Sequence, residues 1–344
     1  MKVSGTYCVS VVVPTYKRPE LLHRCLAALV AQDIAPTAYE IIVVDDAACA
    51  ETKQEIEAWA ARLEESGHML RYIPVTATHG PAAARNAGWR AASGKIIAFT
   101  DDDCLPDPAW LRAGVAAFTV GVIGVSGRLI VPLRHTPTDY EHNAAQLANA
   151  EFVTANCFYR RECLAAIGGF DERFTAAWRE DSDLIFSLMQ QYCCECKESR
   201  KDGNDRSGSF IHAPDAIVVH PIRSAPWGVS LKQQRKSMFN ALLYKKHPTL
   251  YRQKIQSTPP WHYYGMLGAQ ITCVFGLIGK KHSFAFIIAC LWMFLIGRFC
   301  LHRLSHTSRR PSHVAEMFIT SLLIPPLAIY WRIRGAIKYR VFFL

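Results

Sequence analysis

The first hundred residues alternate between short, fully apolar runs and longer segments with helical spacing. Cys8 to Val13 is a strand-like run rich in β-branched valine, and Pro19 opens a pattern with apolar residues at Leu21, Leu22, Cys25, Leu26, Leu29 and Val30. That order predicts strand, loop, helix. Ile41 to Val44 predicts a second buried strand ending in Asp45-Asp46, followed by a helix carrying Ile56, Trp59, Ala60 and Leu63. Met69 to Ile73 predicts a third strand, Pro81 to Ala92 a third helix, and Ile96 to Phe99 a fourth strand. Strands alternating with helices imply a mostly parallel sheet, in which ligands gather beyond the carboxyl ends of the strands.

The last third follows a different pattern. Three apolar stretches, 261–279, 283–301 and 315–331, are interrupted by Gly279-Lys280-Lys281-His282 and by a basic segment from Arg298 to Arg310, and Pro325-Pro326 breaks the third. A 19-residue helix at about 1.5 Å per residue approaches the roughly 30 Å of a bilayer core. The expected organisation is therefore a catalytic domain over residues 1–250 and a membrane-associated helical region over 251–344. A helical hairpin is expected from the first two stretches, with a Pro-kinked or re-entrant third segment. A soluble helical subdomain is the alternative.

Charge separates the halves as sharply. Residues 1–215 hold 28 Asp and Glu against 21 Lys and Arg, whereas residues 216–344 hold one acid, Glu316, against 18 bases. A basic segment interleaved with apolar runs fits an anionic membrane surface rather than nucleic acid. Twelve cysteines scattered through helices and strands fit a reduced compartment, and Cys193, Cys194 and Cys196 lack a second ligand pair at zinc spacing. The first apolar segment is a strand closed by Pro14, so no signal peptide is expected. The catalytic part is expected at the cell membrane, on its cytoplasmic side.

The candidate chemistry lies at the predicted strand ends. Pro14-Thr15-Tyr16-Lys17-Arg18 follows the first strand, Asp45-Asp46 the second, and Asp101-Asp102-Asp103 the fourth. Three adjacent carboxylates repel one another unless a cation binds among them or water solvates them. Further on, Glu180-Asp181-Ser182-Asp183 opens an apolar helical pattern through Leu184, Ile185, Leu188 and Met189.

In order along the chain, VSVVVPTYKRPELL, EIIVVDD, GPAAARNAG, IIAFTDDDCLPDPAWL, TANCFYRRECLAAIGGFDERF, EDSDL and VVHP resemble the inverting glycosyltransferases of family 2, which have the GT-A fold. The resemblance runs from about Val9 to about Pro248. It implies an α/β fold of GT-A type, a Rossmann-like sheet with flanking helices, followed here by the C-terminal hydrophobic helices. It places Pro14, Thr15, Arg18, Asp46, Arg85, Asn86, Asp101 and Asp102 around a nucleotide-sugar donor, with Asp46 accepting a hydrogen bond from the base. By the same match Asp103 is the direct ligand of a divalent metal, Mg²⁺ or Mn²⁺, with Asp101 and His220 as further metal candidates, while Asp102 fills the variable middle position. Asp181 is the implied general base and Glu180 its orienting neighbour. Gly168 to Glu172 would shape the acceptor side, with Thr154, Asn156, Arg160 and Arg161 as pocket walls.

A processive synthase of this family would carry Q-x-x-R-W after the base. Gln233-Gln234-Arg235-Lys236 lacks its spacing and its Trp, which favours a single-addition enzyme. The expected partners are a nucleotide-sugar donor, a lipid-linked or glycan acceptor and membrane lipids, with no nucleic acid. The expected activity is inverting transfer of a sugar to an acceptor hydroxyl. A polyprenyl-phosphate sugar synthase and an inactive membrane scaffold are the alternatives.

Overall fold

The structure is a computed structural model that describes residues 8–192 and 208–343. The cysteines at 193, 194 and 196 and most of the polar stretch beginning at Lys197 lie outside the described residues. The chain packs as two compact units, Met1–Pro132 with Leu147–Pro221, and Leu133–Gln146 with Ile222–Leu344.

The first unit is built on one eight-stranded sheet. Its strands are β1 (Val9–Thr15), β2 (Tyr39–Asp45), β3 (Met69–Pro74), β4 (Ile96–Phe99), β5 (Leu105–Pro106), β6 (Val122–Ile130), β7 (Cys157–Arg160) and β8 (Ser209–Val219), in the order β3-β2-β1-β4-β7-β6-β8-β5. The four predicted strands form a parallel set. Beyond them β7 runs antiparallel to both β4 and β6, β8 pairs parallel with β6, and β5 pairs antiparallel with β8.

Continuous rather than alternating apolar runs arise because both faces of the parallel set are covered. Val9, Val11 and Val13 share a core with Leu22, Leu26, Leu29, Ile56 and Trp59. On the other face helix Pro81–Ala91 lies against the sheet at Gly88, where an added Cβ would come within 2.4 Å of Val12 Cγ1. Strand order reverses at β1, flanked by β2 and β4, so a crevice forms at its carboxyl end. The register pairs Thr15 with Asp45 and Val12 with Phe99, which brings the chain after Phe99 beside Thr15.

Asn156 knits the far half of the sheet together. Its Oδ1 accepts from Trp110 Nε1, and its Nδ2 donates to the carbonyls of Arg128 and Ala216. Arg160 donates to the carbonyls of Val122 and Thr119, and Arg161 to that of Ala92. These three side chains, expected on a pocket wall, brace backbone instead, because buried carbonyls at irregular strand ends need donors.

In the second unit, helix Asp139–Ala145 starts at a capping box between Thr138 and Glu141, and Asp139 is held by Arg303 at 2.7 Å. Three longer helices follow, Trp261–Ile278, His282–Leu304 and Pro311–Tyr339. The first two form the expected hairpin: Lys281 N donates to Gly276 O, and Gly276 packs on Ala285. The last two are long and apolar enough to cross a membrane, by length and composition. The third helix runs on through Pro325 and Pro326. Phe275, Phe286 and Phe294 are each about two-thirds exposed.

Candidate active site

At the carboxyl end of β1, Thr15 Oγ1 donates to Asp102 Oδ2 at 2.8 Å and Arg18 Nη1 donates to Asp102 Oδ1 at 3.2 Å. The middle carboxylate of the triplet is therefore a strut between two loops, 2% exposed. Burial pushes its pKa up to about 6, against the downward pull of Arg18 and Thr15. The family resemblance gives this residue the variable middle position of the motif and a place around the donor, and does not anticipate the strut. The signal available was positional: Thr15 and Asp102 follow neighbouring parallel strands. Pro14 pairs with Val44 in the same edge, just before Thr15.

Arg85 joins the first carboxylate of the triplet to the second acidic motif. Helix Pro81–Ala91 buries its guanidinium, which donates to Asp101 Oδ1 at 2.8 Å and to Glu180 Oε1 at 3.1 Å. Burial works against this charge, and the two carboxylates outweigh it, so the pKa of Arg85 rises. One residue later, Asn86 is wholly buried and its amide is committed to the turn at 168–172. Its Nδ2 donates to Phe170 O and Glu172 Oε1, while its Oδ1 accepts from Phe170 N and Trp89 Nε1. The Arg-Asn pair thus divides its work, Arg85 toward the carboxylates and Asn86 toward the turn. That turn requires glycine at 169, where φ is +80° and an added Cβ would lie 2.5 Å from Trp89 Nε1.

Asp103 faces His220, with Oδ1 and Nε2 3.6 Å apart, and Cys104 Sγ completes a trio of atoms all within 4.8 Å of one another. His220 arrives at the end of β8, its backbone N–H donating to Ile130 O. A carboxylate oxygen suits Mg²⁺ or Mn²⁺, and an imidazole nitrogen is a softer donor that Mn²⁺ accepts more readily than Mg²⁺; ligands at about 2.1 Å sit about 3 Å from each other. The Asp103 and His220 pair carries donor types that a divalent cation such as Mn²⁺ takes, at a separation of 3.6 Å that is somewhat wider than this. Cys104 was not singled out in the sequence; its proximity depends on β8 folding back beside β5.

Beyond β2 the two aspartates differ. Asp45 is fully buried and caps its own loop, accepting from Ala47 N, Cys49 N and Tyr72 Oη. Asp46 accepts from Gly80 N with both oxygens, at 2.9 and 3.0 Å, and faces His79 at 3.3 Å. It tethers the start of helix Pro81–Ala91 to the β2 edge.

The helix Glu180–Tyr192 begins at the predicted acidic motif. Glu180 is 3% exposed and has both oxygens engaged, Oε1 by Arg85 and Oε2 by Trp178 N at 2.6 Å. Burial raises its pKa, the neighbouring Asp181 adds to the rise, and Arg85 opposes it. Asp181 is half-buried, its Oδ1 fixed by Ser182 N at 2.6 Å and by the Ser182 hydroxyl at 3.3 Å. Asp183 is buried in the first turn, where a helix N-terminus favours negative charge. Through Arg85 the strand-end triplet and the helix-start acids form one connected polar network.

Residues 10–176 match the family model described as Glycosyl transferase family 2. The chain is 27% identical over 236 residues to the glycosyltransferase AglE of Haloferax volcanii, covering 66% of this chain and 70% of that protein. It is 33% identical over 279 residues to the poly(ribitol-phosphate) β-N-acetylglucosaminyltransferase TarS of Staphylococcus aureus, 73% of this chain but only 47% of TarS. Among solved structures, the mannosyltransferase PcManGT of Pyrobaculum calidifontis, in complex with GDP-mannose and Mn²⁺, aligns over 98% of this chain and 88% of its own. The TM-score is 0.59 at 18% identity, a likeness of GT-A fold. The ordered motifs, the mixed sheet and these matches agree: residues 10–176 of this chain form a glycosyltransferase family 2 domain.

Proposed function

We propose that the chain is a membrane-associated, metal-dependent, inverting glycosyltransferase that moves a sugar from a nucleoside diphosphate sugar to an acceptor hydroxyl. The observation that carries this reading is the Arg85 bridge, which sets Glu180 and Asp181 next to the strand-end carboxylates. Displacement with inversion needs a base on the face opposite the leaving group, since an acceptor hydroxyl must lose its proton as it attacks. The acceptor oxygen bonds to the anomeric carbon, the carbon–oxygen bond to the diphosphate breaks, and the hydroxyl proton passes to Asp181.

Between the two adjacent acids, exposure selects the base. Glu180 has both oxygens engaged and serves to position its neighbour. Asp181 has one oxygen fixed by Ser182, which aims the carboxylate, and the other takes the proton. Asp103 and His220 would hold the divalent cation, which neutralises charge on the departing diphosphate. Arg18, anchored on Asp102, and the Thr15 loop form the wall on which the nucleotide lies.

The exposed apolar helices of the second unit support an acceptor presented at a membrane, in cell-surface glycan or lipid-linked saccharide synthesis, with catalysis on the cytoplasmic side. The same helices favour a second reading, a polyprenyl-phosphate sugar synthase, distinguished by a lipid monophosphate sugar as product. A panel of nucleotide sugars with Mn²⁺ and lipid extract, scored for nucleoside diphosphate release and for anomeric configuration, tests both. Release with no acceptor-dependent product from any donor would contradict the transferase assignment, and a retained anomeric configuration would contradict inversion.

A further inference from the structure

The second unit contains a cavity of about 240 Å³ that plays no part in the chemistry above. Arg252, Gln256, Thr258, Trp261, Arg332 and Phe343 contribute to its wall. Arg332 is 7% exposed, lies 3.7 Å from the centre of the Phe343 ring, and donates to Gln256 Oε1 at 3.3 Å. Arg252 is exposed and donates to Tyr244 Oη at 2.9 Å. Among the described residues no acidic side chain lines the cavity. Glu316, the single acid in residues 216–344, accepts from Gly228 N. The cavity is thus positive, with a mostly apolar wall in which Arg252 and Arg332 are the charged groups.

Its position narrows the anion. The wall includes the first residue of helix Trp261–Ile278 and a residue in the last third of helix Pro311–Tyr339. Trp261 is 65% exposed and Trp331 adjoins Arg332, an arrangement found where apolar helices leave the hydrocarbon region. Basic pockets between such helices take lipid headgroups, and arginine binds phosphate through paired donors.

We propose that this cavity binds the phosphate of an anionic membrane lipid, with Arg252 and Arg332 on the phosphate oxygens and the Thr258 hydroxyl as a further donor. The proposal rests on the membrane reading of the apolar helices, which supply the surface where acyl chains would lie.

Vesicle flotation of the purified full chain tests it, comparing phosphatidylcholine alone with phosphatidylcholine containing phosphatidic acid. The wild type should float with both and bind the anionic vesicles more tightly. Arg252→Gln, at an exposed site, should lower that gain about fivefold and leave neutral binding unchanged, and Thr258→Val should lower it further. Lys280→Gln, which removes an exposed charge away from the cavity, should keep the gain. Equal losses in Arg252→Gln and Lys280→Gln would overturn the proposal in favour of diffuse charge. Abolition of the gain by millimolar inorganic phosphate would assign the cavity to a soluble phosphate and overturn the lipid source. A chain that floats with neither vesicle contradicts the membrane reading itself, whereas equal binding to both contradicts the cavity proposal alone.

Discussion

The two acidic clusters of the first unit make the most instructive comparison. After β4, Asp102 is buried between Thr15 and Arg18, while Asp101 is more open and Asp103 turns to His220. At the helix start, Glu180 is buried between Arg85 and Trp178 N, while Asp181 is more open. Each cluster commits one carboxylate to holding its loop, and the proposed chemistry falls to a neighbour. Adjacent acids that look alike in sequence are separated by exposure and by the donors that reach them.

Substitution should expose this division. Asp103→Ala, or stripping divalent cations with EDTA, is expected to cost at least about 10³-fold in transfer, because the charge of the leaving group loses its counter-ion. Wild-type turnover in EDTA would break the metal half of the comparison. Glu180→Gln is expected to lower kcat by about 10²-fold through misplacement of Asp181, with donor affinity nearly unchanged. Loss of donor affinity instead would move Glu180 to the donor side.

Asp102→Ala should act differently, raising the donor KM about tenfold and costing about 2 kcal/mol of stability, since charged hydrogen bonds to Thr15 and Arg18 are lost. A fall in kcat alone would give the middle carboxylate a chemical part. Gly169→Ala is the smallest change in chemistry. It should destabilise by about 1–3 kcal/mol, through a positive φ and the clash with Trp89, with kcat retained by whatever remains folded in a thermal melt.

Much of this was legible in the chain. Apolar runs bounded by Pro and Asp gave the four parallel strands, because strands buried on both faces leave no polar position inside them. The ordered motifs put Asp101, Asp103, Glu180, Asp181 and His220 in one unit. What stayed hidden depends on pairings between strands distant in sequence. The β4–β7 and β6–β7 pairings are antiparallel, and nothing in the run Cys157 to Arg160 distinguishes them from parallel ones. The roles of Asp102, Asn86 and Asn156 were hidden for a related reason. Each side chain is defined by partners brought within reach only when the sheet closes, as when Asn156 meets Trp110 and Ala216.

The central claim, that Asp181 is the base and the buried acids only position it, is tested most directly by Asp181→Asn, with transfer and donor binding measured on the same folded protein. The account predicts a loss of about 10³- to 10⁴-fold in kcat, an unchanged donor Kd and an unchanged melting temperature. Turnover within tenfold of wild type would contradict it.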